Sequence, residues 1–148
     1  GDVDRSLALA DLLRIEAEIH EHAGETEQRN TCLFKAINVL AEASLRLNHA
    51  SSQEHVDRIA QLADDIRGLD ATPATNWRLF RYYESREQFD KAEDALYELL
   101  DADRAAYTEY GIDFYQRLQN LPDHVLEQGG LPRDEVQDGL DALLLEND

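Results

Sequence analysis

The chain of 148 residues has no methionine, one cysteine, three prolines and seven glycines. The lone Cys32 excludes an intrachain disulfide and any CxxC metal site, and it points to a reducing, cytoplasmic compartment. No apolar run approaches the ~20 residues that a membrane-spanning helix needs, and no signal peptide opens the chain. Basic residues are also scarce: 14 Lys and Arg against 32 Asp and Glu give a formal net charge of -18. A surface of that sign excludes the phosphate backbone of nucleic acids and anionic membranes as main partners. With Gly1 in place of an initiator methionine, the chain is expected to be a piece of a longer protein.

What remains is Ala, Leu, Glu, Arg, Gln and Asp, a mixture that favours helix almost everywhere. No hairpin signal such as Asn-Gly between alternating apolar residues occurs. The spacing predicts seven or eight helices. The first covers about 4–23, with Leu9, Leu12, Leu13, Glu16, Ile19 and Ala23 on one side as the expected core stripe. Gly24 is a C′ residue. The second covers about 27–48, with Leu33, Ala36, Ile37, Leu40, Ser44 and Leu47 buried. Ser51 and Glu54 read as a capping box for the third, whose stripe is Val56, Ile59, Ala60, Ala63 and Ile66. Thr72-Pro73 opens the fourth as N-cap and N1, followed by an aromatic face of Trp77, Phe80 and Tyr83 beside Leu79. The fifth starts at Asp90, with Asp90 and Glu93 at capping-box spacing and Ala92, Leu96, Leu99 and Leu100 as core. The sixth, about 104–120, carries Gly111 within its apolar stripe. That glycine costs about 1 kcal/mol of helix propensity and is explained by a close helix crossing. A short helix over 123–128 and a last one after Pro132, with Val136, Leu140, Leu143 and Leu144, complete the chain.

The segment Leu79-x3-Tyr83-x5-Phe89-x2-Ala92-x3-Leu96-x2-Leu99-Leu100 resembles a tetratricopeptide unit. The resemblance gives Leu79, Tyr83 and Ala92 the helix-packing roles and places Phe89 in the turn. It departs at Phe80, where a small residue is expected, and at Glu87, where the turn glycine belongs. A fainter copy aligns Gly24 with that turn and Leu33, Ala36 and Ile37 with the second helix. The two turns lie 63 residues apart (87 minus 24), which is no multiple of the ~34-residue period. The tail, from Phe114-Tyr115-x-Arg117-Leu118 to Pro132-Arg133-x-Glu135-Val136, resembles the end of an uncharacterised family of bacterial tetratricopeptide-like domains. The resemblance implies an all-α fold of antiparallel hairpins stacked as a short right-handed array. The hairpins take up about 4–103 and a helical extension about 104–148, in one domain.

Few residues suggest chemistry. His20-Glu21-His22 is a dense group of metal-ligand types, yet residues two apart on a helix diverge, so it reads as a solvated helix end. His49 and His55 flank the capping box and are expected at the surface. Cys32 has no histidine at helical spacing to activate it and reads as a small apolar residue. Asp64-Asp65 and Glu93-Asp94 lie on polar faces, where ordinary carboxylates are the default. Gly129-Gly130-Leu131-Pro132 lacks the lysine and Ser/Thr of a phosphate loop. No catalytic residue, metal or cofactor is assigned.

The arginine and aromatic positions of the fourth helix stand out instead. In a tetratricopeptide-like array this helix would turn Trp77, Arg81 and Glu84 toward a groove. Arg78 and Arg81 suit an acidic side chain or a peptide carboxylate. The plainer reading puts Trp77 in the core. The leading expectation is a non-enzymatic domain that contacts a protein or peptide partner, or a second copy of itself, partly through Leu143-Leu144-Leu145. The alternatives are a ligand- or peptide-sensing regulatory domain, and an enzyme using His20, His22 or Cys32.

Overall fold

A computed structural model describes residues 2–47 and 52–146, with side chains from residue 5 onward. Among them are eight α-helices and no strand: α1 Asp2–His22, α2 Thr26–Leu47, α3 Gln53–Asp65, α4 Pro73–Ser85, α5 Phe89–Ala102, α6 Arg104–Gln119, α7 Asp123–Gln128 and α8 Arg133–Glu146. The all-α reading and its helix count hold. The contacts gather into two compact units, one up to Arg78 and one from Leu79 on.

In the first unit α1 and α2 form a hairpin. Its turn is a Schellman motif: Glu25 N–H donates to His20 O at 2.8 Å and Gly24 N–H to Glu21 O at 3.1 Å. Gly24 sits at φ 75°, the left-handed region that this motif requires. The buried face of α2 is Leu33, Ala36, Ile37, Leu40 and Ser44, as the periodicity predicts. The face of α1 is not as predicted. Leu7, Ala10 and Ala17 are buried, whereas Leu9, Leu12, Glu16, Ile19 and Ala23, five of the six expected core positions, are exposed. Residues 7, 10 and 17 also recur at helical spacing, so α1 has two apolar faces. The one with alanines lies inward, and small side chains on it allow α2, whose buried face includes Leu33, Ala36, Ile37 and Leu40, to pack close.

Polar contacts fix the rotation of α1. Arg58 of α3 forks onto Asp11, with Nε donating to Oδ1 at 2.8 Å and Nη2 to Oδ2 at 3.3 Å. Arg14 reaches Gln61 at 3.0 Å and Asp65 at 3.4 Å. These contacts aim the Asp11 and Arg14 side of α1 at α3 and leave Leu12, Ile15 and Ile19 outward. The α3 cap is one residue later than expected: Ser52 Oγ accepts from His55 N–H at 3.2 Å, and Ser51 and His49 lie outside the described residues. His55 is fully buried, not at the surface, and its Nε2 is 2.8 Å from Leu40 O. That bond ties α3 to α2, and the cap turn carries the ring inward. Leu62, absent from the expected stripe, is buried, whereas Ala60 is exposed.

In the second unit the α4–α5 turn repeats the geometry at Gly24. Gln88 N–H donates to Tyr83 O at 2.9 Å and Glu87 N–H to Glu84 O at 3.0 Å. Glu87 holds φ 57°, so a residue with a side chain occupies the left-handed position where a glycine fits best. In each hairpin the next helix begins two residues after this position. The Asp90–Glu93 capping box does not form; the Asp90 carboxylate accepts from Lys91 N–H at 2.9 Å instead. Phe80, the bulky departure in the repeat pattern, is buried edge-on against Phe114 of α6, with ring centroids 5.2 Å apart. The close crossing foreseen at Gly111 exists: a Cβ there would lie 2.6 Å from Leu143 Cδ1 of α8. Gly139 of α8 is equally confined, because a Cβ would run into the ring of Tyr115.

Two stability outcomes follow from these positions. Gly139→Ala is expected to cost about 1–3 kcal/mol by forcing α8 off Tyr115. Glu87→Gly is expected to gain up to about 1 kcal/mol, the relief of left-handed strain less the added entropy of the unfolded chain. Denaturant unfolding of both variants against the wild type measures each.

Candidate interaction surfaces

Two features of the first unit stand apart from an ordinary solvated helix surface. The first is the outward ridge of α1. Leu9 is 45%, Leu12 59%, Ile15 54% and Ile19 61% exposed. Leu12, Ile15 and Ile19 share one face of the helix and Leu9 forms its edge. Arg5 and Glu16 are exposed along the same rim.

The second is a cleft of about 650 Å³ between the N-terminal half of α1, the outer face of α2 and the start of α4. Its apolar floor is Leu9, Leu13, Val39 and Ala43. Among the described residues its polar lining includes Lys35, Arg46 and Arg78 but a single carboxylate, Glu42. On a chain of net charge -18, that is a local reversal of sign.

The cleft is built from the sequence upward. Lys35, Asn38, Glu42 and Arg46 follow one another at helical spacing on α2. Thr72 caps α4, its Oγ1 accepting from Thr75 N–H at 3.3 Å, as the Thr-Pro signal predicts. Thr75 is buried and accepts from Asn38 Nδ2 at 2.8 Å. Asn38 Oδ1 in turn accepts from Arg78 Nη1 at 3.4 Å, while Arg78 Nε donates to Glu42 at 3.1 Å. The chain Thr75–Asn38–Arg78–Glu42 holds the guanidinium at the cleft wall. Arg46 lies 3.9 Å from the other Glu42 oxygen and its side chain is 75% exposed. Two guanidinium groups thus share one carboxylate.

The four residues singled out on α4 have separate settings. Arg78 lines this cleft, and Trp77 is half-buried. Arg81 is exposed. Glu84 is engaged by Arg117 of α6 in a two-point fork, Nε to Oε2 at 2.8 Å and Nη2 to Oε1 at 2.7 Å. The periodicity gave no means of pairing Glu84 with a helix thirty residues on. Nor did it assign Lys35 or Arg46 to a site, because the cleft depends on which face α1 turns inward.

Among the groups weighed for catalysis, Cys32 is buried beside Glu16, and burial and that carboxylate both push its thiol up, away from the reactive thiolate. His20 pairs with Glu25 at 3.2 Å. Among the described residues no three His, Cys, Asp or Glu side chains are grouped to hold a metal. Glu93 departs from the ordinary carboxylate assumed for it. Burial raises its pKa above 4.5, against a hydrogen bond donated by Tyr115 OH at 2.6 Å, with Glu135, Asp94 and Asp90 adding to the rise. The phenol of Tyr115 is held above its usual range by burial and by that same bond.

The molecule is thus an all-α protein of helical hairpins, with an apolar ridge and a basic cleft on one unit. The chain belongs to DUF6483, a family of unknown function, which matches residues 8–147. No curated protein and no solved structure matches it. Among the described residues no helix is long and apolar enough to cross a membrane.

Glu93 sets a pH signature. Its folded pKa lies above the unfolded value, so just above pH 4.5 the folded state retains a proton that the unfolded state has lost. Its contribution to stability therefore falls as pH rises through that window and levels off above the folded value. Glu93→Gln is expected to remove this fall; denaturant unfolding from pH 4 upward should show the stability of wild type relative to the variant declining with pH. A constant difference would assign the slope elsewhere.

Proposed function

We propose that this chain is a non-enzymatic helical-hairpin domain, similar to a short tetratricopeptide-like array, that works in the cytoplasm by protein–protein contact. Its contact surface is the outward ridge of α1. The observation that carries the reading is the exposure of Leu9, Leu12, Ile15 and Ile19 on a helix whose opposite face already packs. These side chains present on the order of 400 Å² of apolar surface, in the range of the largest patch on a typical monomer, which is often functional.

The partner that best matches the ridge is a second copy. Antiparallel pairing of two α1 helices about Leu12 sets Leu9 against the partner's Ile15 and brings Arg5 toward the partner's Glu16. A two-fold axis makes the stripe self-complementary and repeats the Arg5–Glu16 pair, giving two ion pairs in the dimer. The repulsion of two bodies of charge -18 opposes the pairing and is screened by salt, so added salt strengthens association.

Light scattering across a concentration series tests this. The wild type is expected to shift toward dimer at high concentration and high salt. The double variant Leu12→Glu/Ile15→Glu is expected to stay monomeric with an unchanged melting temperature, because both positions are exposed. A wild type that stays monomeric throughout, or a variant that dimerises equally well, contradicts the proposal.

A further inference from the structure

We infer that the cleft between α1, α2 and α4 is a binding site for a single-chain amphiphilic carboxylate, an apolar chain ending in one carboxyl group. The inference does not require the α1 ridge to pair, though Leu9 borders both surfaces.

Three properties of the lining define the ligand. The floor is aliphatic: Leu9, Leu13, Val39 and Ala43, with no aromatic side chain to stack a ring. It therefore suits a flexible hydrocarbon chain rather than a planar heterocycle. The volume of about 650 Å³ is that of a small-molecule site. Among the described residues the rim carries three cations and one carboxylate, so an anion is favoured there and a further cation is not.

The positions of the charges give the orientation. Because α1 and α2 run antiparallel about the turn at Gly24, Leu13 lies opposite Lys35 and Leu9 opposite Val39. Lys35 and Arg46 are eleven residues apart on α2, about 16 Å along its axis. At the Arg46 end, Arg46 and Arg78 flank Glu42, and Arg46, held only by a loose 3.9 Å contact to it among the described residues, is 75% exposed to an incoming carboxylate. The ligand head group belongs there, completing a pair of carboxylates between two guanidinium groups. Its chain runs over Ala43, Val39, Leu9 and Leu13 toward Lys35, whose methylene stem covers the far end while its ammonium stays in water.

The test is titration of the intact chain with dodecanoate below its micellar concentration, followed by calorimetry. Dodecanol and dodecyltrimethylammonium serve as probes of equal chain length. Dodecanoate is expected to bind saturably at one site, and the other two at least tenfold more weakly. Arg46→Glu is expected to weaken dodecanoate at least tenfold, Lys35→Glu no more than about threefold, and Glu42→Gln to tighten it by removing the competing carboxylate. Arg46 and Lys35 are exposed, so both variants should keep the wild-type melting temperature, which is checked alongside. No saturable binding, equal binding of dodecanol, or an Arg46→Glu variant that binds as the wild type does would each overturn the inference. Loss of dimerisation in Leu12→Glu/Ile15→Glu with dodecanoate binding intact would uphold the cleft whatever becomes of the ridge pairing.

Discussion

The close approach of α1 to α2 through alanines is the constraint on which the rest of the first unit depends. Ala10 and Ala17 are buried on the inward face of α1, as Leu33, Ile37 and Leu40 are on that of α2. Larger side chains on that face would hold the helices apart. The consequence is paid on the opposite side, where Leu12, Ile15 and Ile19 have no neighbour among the described residues to cover them. The same packing brings Leu9 and Leu13 alongside Val39 and Ala43 and so creates the floor of the cleft. Ridge and cleft are two results of one choice of helix face.

Electrostatics makes that choice specific. An apolar stripe alone would allow α1 to rotate, since both of its faces are hydrophobic. The Arg58–Asp11 fork and the Arg14 contacts to Gln61 and Asp65 are met at one rotation only. The pairs are partly exposed, so each contributes little to net stability. Their effect is on orientation, which decides what the surface presents.

The fold was largely legible in the sequence, and the surfaces much less so. Helix-rich composition, Thr72-Pro73, Gly24 and Gly129-Gly130 place most elements within a residue or two. The Gly111 crossing was readable because a glycine inside an apolar stripe needs a reason. The inward face of α1 was not readable, because periodicity ranks faces by hydrophobicity, whereas close packing here selects small side chains. His55 was misplaced for a related reason: a polar ring beside a cap reads as exposed until the carbonyl it binds, Leu40 O, is in view. Arg78 was found from its charge alone. Its companions Lys35 and Arg46 belong to α2 and became a site only once α1 and α4 were placed around them. Glu87 shows the converse: a glutamate where a turn glycine was expected, it still holds φ 57°, the left-handed region that Gly24 holds in the first hairpin.

The most direct test of this account is thiol accessibility along α1. Single cysteines replace Leu12, Ile15, Ala10 and Ala17 in turn in a Cys32→Ser background, and their reaction with a maleimide is timed in the dilute native protein. The account predicts that cysteines at 12 and 15 react at the rate of an unfolded control, while those at 10 and 17 are protected by orders of magnitude. The reverse pattern, with 12 and 15 protected in the monomer, would mean that α1 packs by its larger side chains and that neither the ridge nor the cleft exists.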